Sequence, residues 1–504
     1  MKAWGFLNKF IFLNINHYFT EIELKSIKNK LLNGFAWSLA DKIVNQLGYL
    51  AITIFLARHI GPESFGFIGM LTIFILLTES VVNNGFSQAL VQRSQQVTEQ
   101  DCSTVFYINI IWGALIYLLL YFSAPSIARF YQEPLLVDIS RLLFLVVIIN
   151  SLTVVVRAKL IIGVDFKSQT IASTIATILS GALGIGLVLN GYEYWSLVWM
   201  ILIKAVIQSV VLWFFCRWIP SERFNKQSFH SLFRFGSNLM FAGFVATLVN
   251  NLYIALIGRY YSATQVGYFT QATNLSNYLI QFITSTLQGV TYPIMTSLKE
   301  DREQLVNVYK QLISITMLVS LPMLIGFSAI SREVVLITLG EEWLPVVPVL
   351  IALCLARTVT PISAINMNIL NAIGRSELFL KVDLSKLPMT LLALYLALPY
   401  GIEGIAWAMV CTSFISFFIN AYFPGKMFGF GAIAQLKVAS KYIVASVIMF
   451  IITSQIVIFD TNIATLFFKV SLGIIIYTII LLLLRDKLFL YGIGLVKIRL
   501  RIFS

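Results

Sequence analysis

Lys42, Lys204, Arg357, Asp41 and Glu79 are charged side chains inside apolar stretches of this 504-residue chain, where a charge needs a reason. Lys42, Lys204 and Arg357 lie ~12 to 17 Å from the nearest span ends at ~1.5 Å per helical residue, near the middle of a ~30 Å hydrocarbon layer. A cation there costs ~2.5 to 3.5 kcal/mol or more unless it is paired or solvated. The three are therefore candidates for binding an anionic cargo along a cationic pathway. A structural pair, notably Lys42 with Asp41 or Glu79, is the competing reading. Asp41 and Glu79 are the acidic candidates for ion coupling, because a carboxylate at depth can exchange a proton within reach of physiological pH.

Uncharged polar residues repeat the pattern. At 100° per residue, Asp41, Lys42, Asn45, Gln46, Tyr49 and Thr53 fall within a ~140° arc of one helix face. Glu79, Ser80, Asn83, Asn84, Ser87 and Gln88 form a second stripe, and Asn274, Asn277, Gln281, Thr284 and Gln288 a third. Such groups lack partners in lipid tails. Asn45, Gln46, Asn83, Asn274, Asn277 and Gln281 are therefore expected to line a polar cavity, with interhelical hydrogen bonding as the alternative. Arg58 and Arg259, at the outer ends of two spans, frame an outer gate or cap the last helix carbonyls. Four scattered cysteines and His17, His59 and His230 form no metal-ligand pattern. No phosphate loop or nucleophile elbow occurs, so neither a cofactor nor hydrolase or ATPase chemistry is expected.

The elements that must position these residues are membrane helices. Hydrophobic residues make up 58% of the chain and charged ones 12%, and mean hydropathy is +0.85. Apolar blocks of about twenty residues suit a helix crossing a bilayer and do not alternate as barrel strands do. They fall near 34–57, 66–91, 104–123, 136–156, 168–190, 195–216, 235–257, 267–295, 311–331, 346–370, 387–399, 403–423, 440–459 and 463–484. The fold class is thus an all-α membrane protein of about fourteen transmembrane helices.

The net charge of +13 does not point to nucleic acid, because the cations are spread over loops. With the N-terminus inside, 27 Lys and Arg lie on the cytoplasmic side against four outside, Arg58, Arg129, Arg259 and Arg332. The positive-inside rule then places both termini in the cytoplasm. The first thirty residues read as a cytoplasmic lead and not a signal peptide. Pro322, Pro361 and Pro388 lie in or near later spans and are candidates for kinks.

The first twelve spans are written twice. Ala57-Arg58-His59 ahead of Gly66-Phe67 matches Gly258-Arg259-Tyr260 ahead of Gly267-Tyr268 at an offset of 201. Gly191-Tyr192-Glu193 matches Gly401-Ile402-Glu403 at an offset of 210. The expected organisation is a lead (1–32), a six-helix lobe (33–217), a cytoplasmic linker (218–234), a second six-helix lobe (235–424), and two last helices with a basic tail (425–504). Repeats of this kind place a transport site between the halves, so Lys204 and Arg357 are expected on the pathway from opposite lobes.

Residues 33–93 carry Leu56-Ala57-Arg58, Gly61-Pro62 and Phe65-Gly66, then Asn84-Gly85-Phe86-Ser87-Gln88-Ala89-Leu90. With Arg157-Ala158-Lys159, Asp165-Phe166-Lys167 and Leu370-Asn371-Ala372-Ile373-Gly374-Arg375, this pattern resembles the polysaccharide transporter family of the multidrug/oligosaccharidyl-lipid/polysaccharide superfamily. The resemblance runs over roughly residues 30–490. It implies a V-shaped, two-lobed flippase in the bacterial inner membrane that moves an undecaprenyl-diphosphate-linked oligosaccharide by alternating access. The implied pathway makes O-antigen, capsule or exopolysaccharide. The implied partners are the lipid-linked oligosaccharide, membrane lipids, and a polysaccharide polymerase with its chain-length regulator. A membrane polymerase or ligase of the same pathway is the alternative outside transport, but no loop is long enough for the large outer catalytic segment such enzymes carry. A peptidoglycan-precursor flippase and a drug antiporter are the alternatives within it.

Overall fold

In the computed structural model the described residues are 21–84, 86–93, 96–298, 300–456, 463–492 and 494. All of their regular structure is helical, as lipid demands of a backbone that must satisfy its own polar groups. The helices are α1 (Glu21–Asn84), α2 (Phe86–Gln92), α3 (Glu99–Tyr131), α4 (Leu136–Leu143), α5 (Leu145–Ser151), α6 (Val154–Ile162), α7 (Phe166–Leu189), α8 (Glu193–Cys216), α9 (Lys226–Tyr260) and α10 (Ala263–Ser297). They continue as α11 (Arg302–Ala329), α12 (Ser331–Thr338), α13 (Val346–Arg357), α14 (Thr360–Ala372), α15 (Ser376–Ser385), α16 (Leu387–Ala397), α17 (Gly401–Phe428), α18 (Ala432–Gln455) and α19 (Ile463–Leu483).

Among the described residues, nine helical stretches are long and apolar enough to cross a membrane, and ten if α4–α6 counts as one bent span. Two of the nine, Val44–Gln92 and Lys381–Phe428, run 49 and 48 residues. Each is long enough for two crossings and is interrupted by a glycine at positive φ, Gly61 (φ 70°) and Gly401 (φ 74°). Helices α9 and α10 are not among the nine, although each runs 35 residues.

The chain divides into two compact units, one of residues 16–270 and one that holds residues 271–504. In the first, α1 packs along α7 and α9, and α7 along α8. A cluster of Phe86, Phe106, Val155, Leu212 and Trp218 closes one end. Beside it Trp218 Nε1 donates to Glu99 Oε2 (2.7 Å), and Lys159 forms an ion pair with the same carboxylate.

Within this unit α1 and the start of α10 meet backbone to backbone. A Cβ on Gly66 would stand 1.8 Å from the Ala263 carbonyl oxygen, and one on Gly267 would stand 1.9 Å from the Pro62 carbonyl oxygen. A Cβ on Gly69 would lie 2.6 Å from Thr270 Oγ1. Pro62 and Ala263, Gly66 and Gly267, and Gly69 and Thr270 are all related by the offset of 201. The two copies of the repeated segment thus cross each other through equivalent residues. Only glycine allows so close a helix approach.

The other unit has its core among α10, α11, α14, α17, α18 and α19. A fully buried polar triad ties three of these helices together. Tyr309 donates to Asn366 Oδ1 (2.6 Å), Asn366 Nδ2 to Gln435 Oε1 (3.1 Å), and Gln435 Nε2 to Tyr309 Oη (2.9 Å) and the Phe430 carbonyl (2.9 Å). Past α19, the Asp486 carboxylate is buried, which pushes its pKa up. Hydrogen bonds from Lys441 and from the Phe489 amide (2.8 Å) outweigh that, and the group is held below the usual carboxylate value.

The second offset also has a structural counterpart. After α6, Asp165 N donates to Leu160 O (2.9 Å) and Val164 N to Ile161 O (3.0 Å). After α14, Arg375 N donates to Leu370 O (2.9 Å) and Gly374 N to Asn371 O (3.0 Å). Both are Schellman turns, at residues 210 apart. The later copy has glycine at the left-handed position (φ 79°), while the earlier holds Val164 there at φ 57°, a strained choice for a β-branched residue.

Spans four and ten are both discontinuous. The first bends by 40° between Ser151 and Val154, where Thr153 Oγ1 bonds back to Asn150 O (2.9 Å). The second breaks between α13 and α14, where Thr358 Oγ1 bonds back to Leu355 O (2.6 Å). Hydroxyls that bond back to the preceding turn compete with the helical ladder. Pro361 and Pro388 do not kink a continuous helix. They occupy the first turns of α14 and α16, where the missing N–H costs nothing. Pro322 does lie inside α11.

Candidate functional site

Two deep cations can be followed to their surroundings. Lys204, half-buried on α8, holds its Nζ 4.5 Å from the centroid of the Tyr49 ring on α1. A cation over an aromatic face gains ~0.5 to 2 kcal/mol. Arg357 ends α13 at the break of span ten, a favourable place for a cation beside a helix C-terminus. Its Nε donates to Ser276 Oγ on α10 (2.9 Å). Among the described residues it has no carboxylate partner within ion-pair distance.

The side chains of Asp41, Lys42 and Asn83 lie outside the described residues. Glu79 is half-buried on α1 and accepts a hydrogen bond from Asn150 Nδ2 at the end of α5 (3.0 Å). Arg157, on α6, acts on the same carboxylate through its charge. Asn45 spends its amide on α7, donating to Ser173 Oγ (2.8 Å) and accepting from Thr177 Oγ1 (3.0 Å). That is interhelical hydrogen bonding. Gln46, Asn274 and Asn277 are half-buried, and Gln281 is exposed. Arg58 is exposed near the end of the first part of α1. Arg259 donates from Nη1 to the Phe130 carbonyl in the last turn of α3 (2.7 Å), a capping contact.

Two cationic features escaped the sequence reading. Lys469, only 3% exposed on α19, pairs with Glu333 on α12 at 2.6 Å. Arg157 was counted among the cytoplasmic anchors, yet its Nε is shut away from solvent without a hydrogen-bond partner. The one available signal for Lys469 was a lone cation six residues into an otherwise apolar last span. Its partner lies 136 residues away.

Lys469 borders a cavity of about 400 Å³ within the unit of residues 271–504. Its walls are apolar: Leu279, Val319, Pro322, Met323, Ile474 and Tyr477 come from α10, α11 and α19. Gly473 keeps the space open beside Met449, and the buried Thr453 hydroxyl on α18 also lines it. Apolar walls with the paired Lys469 at one edge suit an amphipathic molecule. Among the described residues no group of three or more His, Cys, Asp or Glu is placed to hold a metal.

Residues 55–348 match the model of a family described as "Polysaccharide biosynthesis protein". The teichuronic acid biosynthesis protein TuaB of Bacillus subtilis is 27% identical over 351 residues, covering 69% of this chain and 72% of that one. The succinoglycan biosynthesis transport protein ExoT of Rhizobium meliloti is 24% identical, covering 65% of this chain and 66% of that one. The fold is that of the lipid II flippase MurJ, whose inward closed structure superposes with a TM-score of 0.73 at 16% identity, over 90% of this chain and 99% of that one. The family model covers more than half of the sequence, the relatives carry the same kinship along most of it, and this multi-pass membrane chain therefore belongs to the polysaccharide biosynthesis protein family.

Proposed function

We propose that this chain is a flippase that carries an undecaprenyl-diphosphate-linked oligosaccharide across a bacterial inner membrane for surface polysaccharide assembly. The observation that carries the reading is Arg357. A half-buried guanidinium at a helix break, held by a neutral hydroxyl and lacking a carboxylate partner among the described residues, is poised for an anion that arrives and leaves. The diphosphate of a lipid-linked sugar is such an anion. The apolar cavity beside Lys469 supports the same chemistry, since a prenyl chain needs apolar walls close to charge. The names of TuaB and ExoT place those relatives in the making of surface glycans and, for ExoT, in transport.

The proposal includes fourteen crossings in two six-helix repeats and a final pair. It is supported by the two glycine-interrupted long helices, the bent fourth span, and α9 and α10, which with the remaining helices make that number. The excess of 27 cations over four supports cytoplasmic termini. Reporter fusions after Arg129 and after Arg332 are expected to report the outer compartment, and an inside signal from both overturns the orientation.

The decisive experiment reconstitutes the purified chain in vesicles with a fluorescent diphosphate-linked oligosaccharide in one leaflet. The expected result is ATP-independent movement to the other leaflet. Strict dependence on ATP hydrolysis by this chain, or glycosidic bond formation with no cargo movement, assigns it to another class.

A further inference from the structure

Arg157 is placed like a ligand-binding residue and not like a topology anchor. It sits in the first part of α6, just after the 40° bend that separates α6 from α5. Discontinuous membrane helices are where transport proteins commonly expose groups to cargo. Its Nε is buried with no hydrogen-bond partner. The carboxylate whose charge acts on it is Glu79, yet among the described residues no ion pair within 4 Å joins the two. Glu79 instead accepts from Asn150 Nδ2 at 3.0 Å, on the other side of the bend. The arrangement therefore has a cation with an unused buried donor, a carboxylate that acts on it by charge without pairing to it, and an amide that donates to that carboxylate. A buried charged donor without a partner is expensive, and native structures keep such groups for a reason. Had packing alone been served, a direct pair would satisfy both charges, as Lys469 and Glu333 do at 2.6 Å.

We propose that Arg157 is an oxyanion-binding residue within the unit of residues 16–270, that its ligand is a phosphoryl or carboxylate group, and that Glu79 is the resident carboxylate with which that group competes. The guanidinium presents a planar fork of donors suited to both anions. Asn150 is a positioning residue, because it acts through Glu79. The inference deepens the flippase reading by assigning the diphosphate, or an acidic sugar, a contact on the bent fourth span. It rests on that reading only for the identity of the cargo.

The test uses the full purified chain in neutral-lipid nanodiscs, titrated with inorganic pyrophosphate and, separately, with geranylgeranyl diphosphate. Arg157→Gln is expected to weaken binding tenfold or more, and Arg157→Lys to weaken it less. Glu79→Gln is expected to tighten it several-fold by removing the competitor. A structural role predicts the opposite for Glu79, with both neutral variants losing thermal stability and the folded fraction binding like the parent. The proposal falls if the parent binds neither probe, if Arg157→Gln binds like the parent, or if Glu79→Gln binds more weakly. Tighter binding of the prenylated probe assigns the site to lipid-linked cargo, and equal binding assigns it to the oxyanion alone; both keep the residue's role. Vesicle transport separates the two claims. Translocation by the parent and equally by Arg157→Gln removes the inference and leaves the flippase reading, whereas anion binding through Arg157 without translocation does the reverse.

Discussion

Gly66→Ala and Gly267→Ala should each lower the amount of folded protein several-fold and drop its apparent melting temperature by about 5 °C or more. The added methyl would meet a backbone carbonyl in both cases, Ala263 at 1.8 Å and Pro62 at 1.9 Å. A side chain can rotate away from a clash, but a carbonyl held in a helix cannot. The helices must separate, so the cost lies at or above the ~1 to 3 kcal/mol usual for overpacking. Gly69→Ala is the internal control, because its obstacles are side-chain atoms, Thr270 Oγ1 at 2.6 Å and Val266 Cγ1 at 3.0 Å, and small side-chain adjustments relieve them. The equivalence of the two glycines adds a sharper expectation. Once one substitution has parted the crossing, the second meets less resistance, and the double variant should cost clearly less than the sum of the singles. Fluorescence-detected size-exclusion after graded heating reads all four proteins. Melting of Gly66→Ala within about 1 °C of the parent would sink the close crossing.

Neutralising the deep cations should abolish most transport while sparing the fold. Lys204→Gln and Arg357→Gln are each expected to reduce vesicle translocation tenfold or more, equivalent to ~1.4 kcal/mol of lost stabilisation per tenfold, at near-normal membrane abundance. Lys204→Arg should retain more activity, since it keeps the charge and can still sit over the Tyr49 ring 4.5 Å away. Arg357→Lys should be intermediate. It keeps the charge but loses the planar fork that reaches Ser276 Oγ at 2.9 Å. A purely structural role predicts the reverse signature, with folded protein lost on neutralisation and normal transport per folded molecule. If the double Gln variant transports as well as the parent at matched levels, neither residue belongs to the mechanism.

How much of this was legible beforehand differs from residue to residue. Lys204 and Arg357 stood out because each lies alone in a long apolar run, and bilayer thickness makes depth a matter of counting. Asn45 shared a stripe with Asp41 and Lys42, and its own side chain does face protein. Its amide, however, is committed to Ser173 and Thr177, more than 120 residues away. Arg259 had two readings, and its bond to the Phe130 carbonyl supplies the capping one. Arg157 was hidden by its neighbours, because Arg157-Ala158-Lys159 reads as an ordinary basic turn at a span end. Its withdrawal from solvent follows from the bend at Thr153, which brings α6 back against the other helices of its unit.

The amino-acid sequence by itself determined that this is a helical, multi-pass membrane protein, where most of its apolar stretches lie, and which family it resembles. Those properties are local sums, since twenty apolar residues span the bilayer whatever they pack against, and turn motifs such as Gly61-Pro62 need only their own backbone. The repeat was visible as two faint offsets. That Gly66 and Gly267 touch, that Glu333 meets Lys469 across 136 residues, and that Asn150 donates to Glu79 across 71 were decided by the tertiary structure alone. The reason is that such contacts depend on the rotation and spacing of whole helices. Those follow from the packing of all neighbouring side chains at once, and no window of sequence contains it.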